Sequence, residues 1–141
     1  MFFTADQLVA HAVGDYIIQS DWMADNKRKS SIAAAIHATT YTLPFLLITL
    51  SLPALAVICV SHFLVDRFGL ARFLVWLKNG PLTFVLIDGP GREGQLDLQW
   101  VPITPTGYAT TKPPFLAVWL FIIADNIVHV ICNAIALAVF S

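Results

Sequence analysis

The chain has 141 residues, of which 57% are hydrophobic and only 12% charged, against roughly 25% charged in an average soluble protein. With a mean hydropathy of +0.74, this argues against a soluble enzyme and for one integral membrane domain over residues 1–141. A net charge of -1 and the lack of a basic recognition module leave no nucleic-acid partner to expect, and make the lipid bilayer the expected one.

The first apolar segment covers about residues 2–20. Gln7, His11, Asp15 and Gln19 recur every four residues and form a polar stripe, while Leu8, Val9, Val13, Ile17 and Ile18 lie on other faces. That pattern suits a tilted spanning helix or one that enters the membrane partway. No basic region followed by an apolar run and a cleavage site precedes it, so no signal peptide is expected. A polar stretch follows, with Lys27, Arg28 and Lys29 in a row. These read as a topology determinant, Trp22 as an interfacial residue, and Ser30 or Ser31 as the cap of the next helix.

The second segment, about 32–52, carries His37 near its start, and Pro44 is expected to kink it. The turn Ser51-Leu52-Pro53 is short, so the second and third segments should form an antiparallel hairpin. The third segment, about 53–78, carries His62 and Asp66 one helical turn apart. Arg72, Phe73, Trp76 and Lys78 read as interfacial anchors, and Asn79-Gly80-Pro81 as the stop. The loop 79–114 holds two apolar runs, TFVLI and QLDLQWVPI, around the turn-rich DGPGREG. They are expected to make a short β-hairpin, and the glycines a turn rather than a phosphate cradle, since no GKS or GKT follows. The fourth segment, about 115–140, places Asp125, His129 and Asn133 on one face. Cys59 and Cys132 lie inside apolar stretches and read as small packing residues.

The expected fold class is therefore all-α: a polytopic membrane protein, a four-helix transmembrane bundle with a cytoplasmic loop between helices three and four. If all four segments span, Lys27, Arg28, Lys29, Arg72, Lys78, Arg92 and Lys112 fall on one side and none falls on the other. That side should be cytoplasmic, in the bacterial inner membrane, with both termini outside. In the same arrangement His11, Asp15, His37, His62, Asp66, Asp125 and His129 fall at similar depth. The helices alternate in direction, so this agreement is not automatic.

Ionisable groups in lipid are costly and are expected to face one another. Neutral imidazoles and carboxylates are metal ligands, and facing helices of a bundle are a common place to hold them. The expected cofactor is a divalent metal, zinc first, with manganese or iron as the others. The expected ligands are His11, His62 and His129 with Asp15, Asp66 and Asp125. His37 is a ligand or a general acid/base, which makes His37 and Asp66 the candidate catalytic residues. Gln7, Gln19, Tyr41, Asn126 and Asn133 should pack helices together or hydrogen-bond to the ligands. Tyr108 and Lys112 are candidates to touch substrate.

The blocks HAVGDYIIQSDWMADNKRKS, AIHATTYTLPF, SHFLVDRFGLARF and TGYATTKPPFLAVWLFIIADNIVHVICNAIAL together resemble a family of small multispanning membrane proteins of bacteria and bacteriophages whose function is unknown. The resemblance covers nearly the whole chain. It implies membrane localisation, supports the seven His/Asp positions as motif residues, and implies no reaction. A looser similarity connects the chain to membrane-bound metal-dependent hydrolases. HExxH, GxSxG and CxxC are all missing. The leading expectation is a metal-dependent hydrolase of a lipid or lipid-linked phosphoester. The alternatives are an ion- or proton-binding or transport protein, a haem protein, and a structural or interaction membrane protein.

Overall fold

A computed structural model describes residues 3–80, 82–87 and 94–141. The expected turn at 88–94 lies outside the described residues except for Gly94, as do Phe2 and Pro81. The protein is mostly helical and forms two compact units, Met1–Leu70 with Asp125–Ser141, and Ala71–Ala124.

In the larger unit α1, Ala5–Ala12, starts at Thr4, whose side chain accepts a hydrogen bond from Gln7 N. The chain continues as a π-helical turn, Val13–Ile18. Helix α2, Asp21–Asn26, is capped by Ser20, and α3, Ser31–Thr42, by Ser30. Pro44 cannot donate to the α-helical ladder, and the chain tightens into a 3₁₀ turn, Leu43–Leu47. The expected kink is thus a change of helix type, and the expected helix over 32–52 is α-helical for only its first part.

Helix α4, Leu52–Phe68, has Ser51 as its cap and Pro53 in its first turn. It ends at Gly69, which adopts the left-handed conformation at φ 60 and donates its N–H back to the Asp66 carbonyl. The expected single helix over 53–78 is therefore two, α4 and α5, Leu70–Asn79. Gly69 also sits under Arg28: a Cβ there would lie 2.5 Å from the guanidinium. Arg67 secures the same loop by donating to the Ser31 hydroxyl and to the Arg28 carbonyl.

Helix α6, Pro114–Phe140, has 27 residues, about 40 Å of helix. Among the described residues it is the one helix long and apolar enough to cross a membrane unaided; α4 and α5 meet that test only together. The far end of α6 is held by Ser51, whose hydroxyl donates to the Phe140 carbonyl, and by Ser141 to Thr49. The core of this unit joins Tyr41 and Phe45 to Ala54, Leu55 and Ile58 of α4 and to Ala136 and Leu137 of α6.

In the smaller unit β1, Leu82–Ile87, pairs antiparallel with β2, Gln95–Trp100, in the register Leu82 to Trp100 through Ile87 to Gln95. Trp76 donates its indole N–H to the Val101 carbonyl. Tyr108 packs with Val75 and Ala117, and the side-chain nitrogens of Lys78 and Lys112 lie 5.6 and 5.5 Å from its ring centre.

Replacing Gly69 by alanine forces a side chain into the left-handed region at a cost of about 1–2 kcal/mol, and drives it against Arg28. The expected outcome is a lower unfolding temperature in detergent, read by circular dichroism. An unchanged temperature would contradict this account of the α4 end.

Candidate metal centre

The seven side chains singled out by their spacing all belong to the larger unit. His11 comes from α1, Asp15 from the π-helical turn, His37 from α3, His62 and Asp66 from α4, and Asp125 and His129 from α6. All but Asp125 are buried. The π-turn aims Asp15 inward; such turns recur at functional sites. It lies so close to α3 that a Cβ on Gly14 would be 2.6 Å from the Tyr41 ring. Only glycine permits that approach.

Four donor atoms converge. His37 Nε2 is 2.9 Å from His62 Nε2, 3.2 Å from Asp15 Oδ1 and 3.1 Å from Asp66 Oδ2. His62 Nε2 is 3.4 Å from Asp15 Oδ1 and 3.1 Å from Asp66 Oδ2. Four N/O donors around a zinc-sized ion form a tetrahedron with edges of about 3.3 Å, given metal–donor bonds near 2.0–2.2 Å. The observed separations of 2.9–3.4 Å lie near and mostly a little below such edges. They also suit hydrogen bonds and ion pairs among the same groups. Two neutral imidazoles whose Nε2 atoms face each other share a single proton, and Asp15 Oδ1 faces both of them. These buried groups can hold a metal ion. The Nδ1 atoms of His37 and His62 have no partner either, unlike most histidine ligands, which donate that proton to an oxygen.

His11 lies outside this group. Tyr41 donates its hydroxyl to His11 Nδ1 at 2.9 Å, and His11 Nε2–H donates to Asn126 Oδ1 at 2.7 Å. Asn133 donates to the Tyr41 oxygen at 2.6 Å, and Asn126 to the Tyr16 hydroxyl at 2.6 Å. This chain engages both ring nitrogens of His11, and Nδ1 also lies 3.5 Å from Asp15 Oδ2. The Tyr41 ring stacks on His62 with centroids 3.6 Å apart and planes 16° apart. Tyr41 therefore holds His62 by its face and His11 by its hydroxyl.

Lys27, expected from the basic run to act as a topology determinant, reaches the cluster. Its ammonium lies 2.9 Å from Asp66 Oδ2 as an ion pair and donates to Gln19 Oε1 at 2.9 Å. The available clue was Gln19 as the last member of the polar stripe, eight residues before Lys27. Gly14 was missed too, since a close backbone approach leaves no spacing pattern. Tyr108 is a core residue of the smaller unit, with Lys112 beside its ring.

A family model described as a protein of unknown function (DUF3307) matches residues 3–141, and the chain belongs to that family. No curated protein and no solved structure matches the chain.

Tyr41→Phe keeps the ring on His62 but removes the hydroxyl that His11 Nδ1 and the Asn133 amide share, leaving Asp15 Oδ2 at 3.5 Å beside His11 Nδ1. The expected cost is about 1–3 kcal/mol of stability, seen as a lower unfolding temperature, with metal content in the folded protein unchanged. Loss of metal without loss of stability would contradict the separate roles given to His11 and His62.

Proposed function

We propose that the protein is a membrane-embedded, metal-dependent hydrolase of a lipid or lipid-linked phosphoester, its centre built on Asp15, His37, His62 and Asp66. The convergence of these four buried donors within 4.8 Å of one another carries the reading. Zinc is the ion the four N/O donors fit best, with manganese or iron next.

The membrane assignment is supported by an inverted distribution of polarity. The four histidines, Asp15 and Asp66 are inside, whereas Ile17, Leu47, Leu50 and Leu52 are 77%, 92%, 81% and 78% exposed. Outward apolar surface around buried charge is what a bilayer selects. In this reading α1 with its π-turn, α3, α4 and α6 are the membrane segments of a bacterial inner-membrane protein, and the basic loops face the cytoplasm. An apolar cleft of about 450 Å³, lined by Val9, Ala10, Val13, Pro44, Leu47 and Ile48 with Asp6, offers room for an acyl chain beside α1.

A divalent ion at the cluster supplies Lewis acidity toward a phosphoryl oxygen and a nucleophilic water at neutral pH. The chain's own groups do the rest. Asp15 and Asp66 offset the ion's charge. His37 acts as a ligand rather than as a free acid or base, because its Nε2 is turned into the cluster. Lys27 pairs with Asp66, and it stands where an anionic phosphoryl group would arrive.

The test is elemental analysis of detergent-purified protein together with hydrolysis of lipid phosphoesters in mixed micelles. Wild type should carry at least one equivalent of metal and lose activity on chelation, and His62→Ala and Asp66→Ala should lose both metal and activity. Lys27→Met removes a positive charge next to the ion, so metal affinity by chelator competition should tighten about tenfold or more while turnover of anionic substrate falls.

A second reading is a proton-linked binding network. The Lys27–Asp66 ion pair and the His37–His62 contact favour it, because they compensate part of the buried charge without a metal. A well-folded protein that takes up no metal under several loading conditions would sink the hydrolase and leave this one.

A further inference from the structure

Asp66 turns its two carboxylate oxygens toward different neighbours. Oδ2 faces His37 and His62, each 3.1 Å away. Oδ1 lies 3.5 Å from His129 Nε2, which is 3.6 Å from Asp125 Oδ2. Asp66, Asp125 and His129 thus form a second group of converging donors. His129 is 1% exposed, and its Nε2 has no hydrogen-bond partner. A buried ring nitrogen aimed at two carboxylate oxygens, too far from either for a good N–H···O bond, has the spacing of donors around a shared ion. The His62 and His129 rings lie side by side with centroids 4.1 Å apart, so the two groups are neighbours.

Charge points the same way. Asp15, Asp66 and Asp125 bring three negative charges, and the imidazoles bind metal in their neutral form. With Lys27 paired to Asp66, one divalent ion leaves the site without net charge to attract a phosphoryl group. With two ions it becomes net positive.

We propose that Asp66 bridges two metal ions, the second held by Asp66 Oδ1, Asp125 and His129. This rests on the metal-centre reading above. The two positions differ in kind. The first has four buried protein donors. The second has three and keeps an open position, as catalytic sites do. The Asp125 side chain is 23% exposed, so the open position faces an accessible edge. Substrate would reach the pair from the Asp125 side, with the Asp15, His37, His62 and Asp66 centre directly beside it.

The experiment is metal counting on the full chain in detergent, with zinc and with manganese(II), on wild type, Asp125→Asn, His129→Ala and Asp66→Asn, each checked for helical circular dichroism. Wild type should bind two equivalents. Asp125→Asn and His129→Ala should retain one, and Asp66→Asn should fall below one. The manganese form of wild type should show the exchange-coupled resonance of a carboxylate-bridged pair, which collapses to an isolated-ion spectrum in Asp125→Asn. Should His129→Ala fail to fold, Asp125→Asn carries the test, because its side chain is partly exposed and nearly isosteric. One equivalent in wild type, unaltered by Asp125→Asn, would overturn the second site and leave the metal centre standing. Two equivalents in both wild type and Asp125→Asn would also overturn this assignment. No metal in any form would remove the metal reading itself, and this inference with it.

Discussion

Asp15 and Asp66 are two carboxylates held against the same pair of imidazoles, out of reach of water. Like charges in a poorly polarisable interior repel strongly and hold protons unless something positive stands between them. Much of the larger unit is arranged to satisfy that demand. His37 and His62 place their Nε2 atoms between the two carboxylates, and Lys27 reaches in from a basic loop. The Asp66 carboxylate is shared outward toward His129. The helices supplying these groups turn many apolar side chains outward. A buried cation resolves the conflict most completely.

The chain delivers this geometry through a few local departures from regular helix. The π-helical turn redirects Asp15, and Gly14 lets that turn lie on the Tyr41 ring. Tyr41 then connects two histidines of different purpose, stacking on one and hydrogen-bonding the other. Gly69 ends α4 three residues beyond Asp66, and the loop under which it sits is tied down by Arg67. That clamp brings Lys27 to the cluster. The basic run thus takes part in the site whatever it contributes to topology.

The four-residue spacing of His and Asp on apolar segments was enough to bring out the cluster, because a helix places such pairs on one face and lipid-like surroundings leave polar groups few places to go. Other features were beyond that reasoning. Periodicity sees a polar stripe on α1, so His11 and Asp15 look equivalent. Which of them enters the donor group depends on the π-turn and on the Asn126 and Tyr41 side chains. The break at Gly69 was readable in principle, as a glycine after a basic residue at a helix end, but the apolar pattern runs through it into α5 and hides the stop. Segment lengths were overestimated for the same reason: apolar runs continue through Pro44 and Gly69, whereas regular hydrogen bonding does not. Lys27 acts from a loop, where no period exists to reveal it.

The central claim is that buried nitrogen and oxygen donors from α3, α4 and the π-turn hold a metal ion. X-ray absorption at the metal edge of zinc-loaded, detergent-purified protein tests it most directly. The account predicts a shell of nitrogen and oxygen only, at about 2.0–2.1 Å, with the outer scattering of imidazole rings, and loss of that scattering in His62→Ala. A sulfur shell near 2.3 Å would place the ion on Cys59 or Cys132, and a spectrum of hydrated zinc would leave the cluster without a metal. Either result would contradict the account.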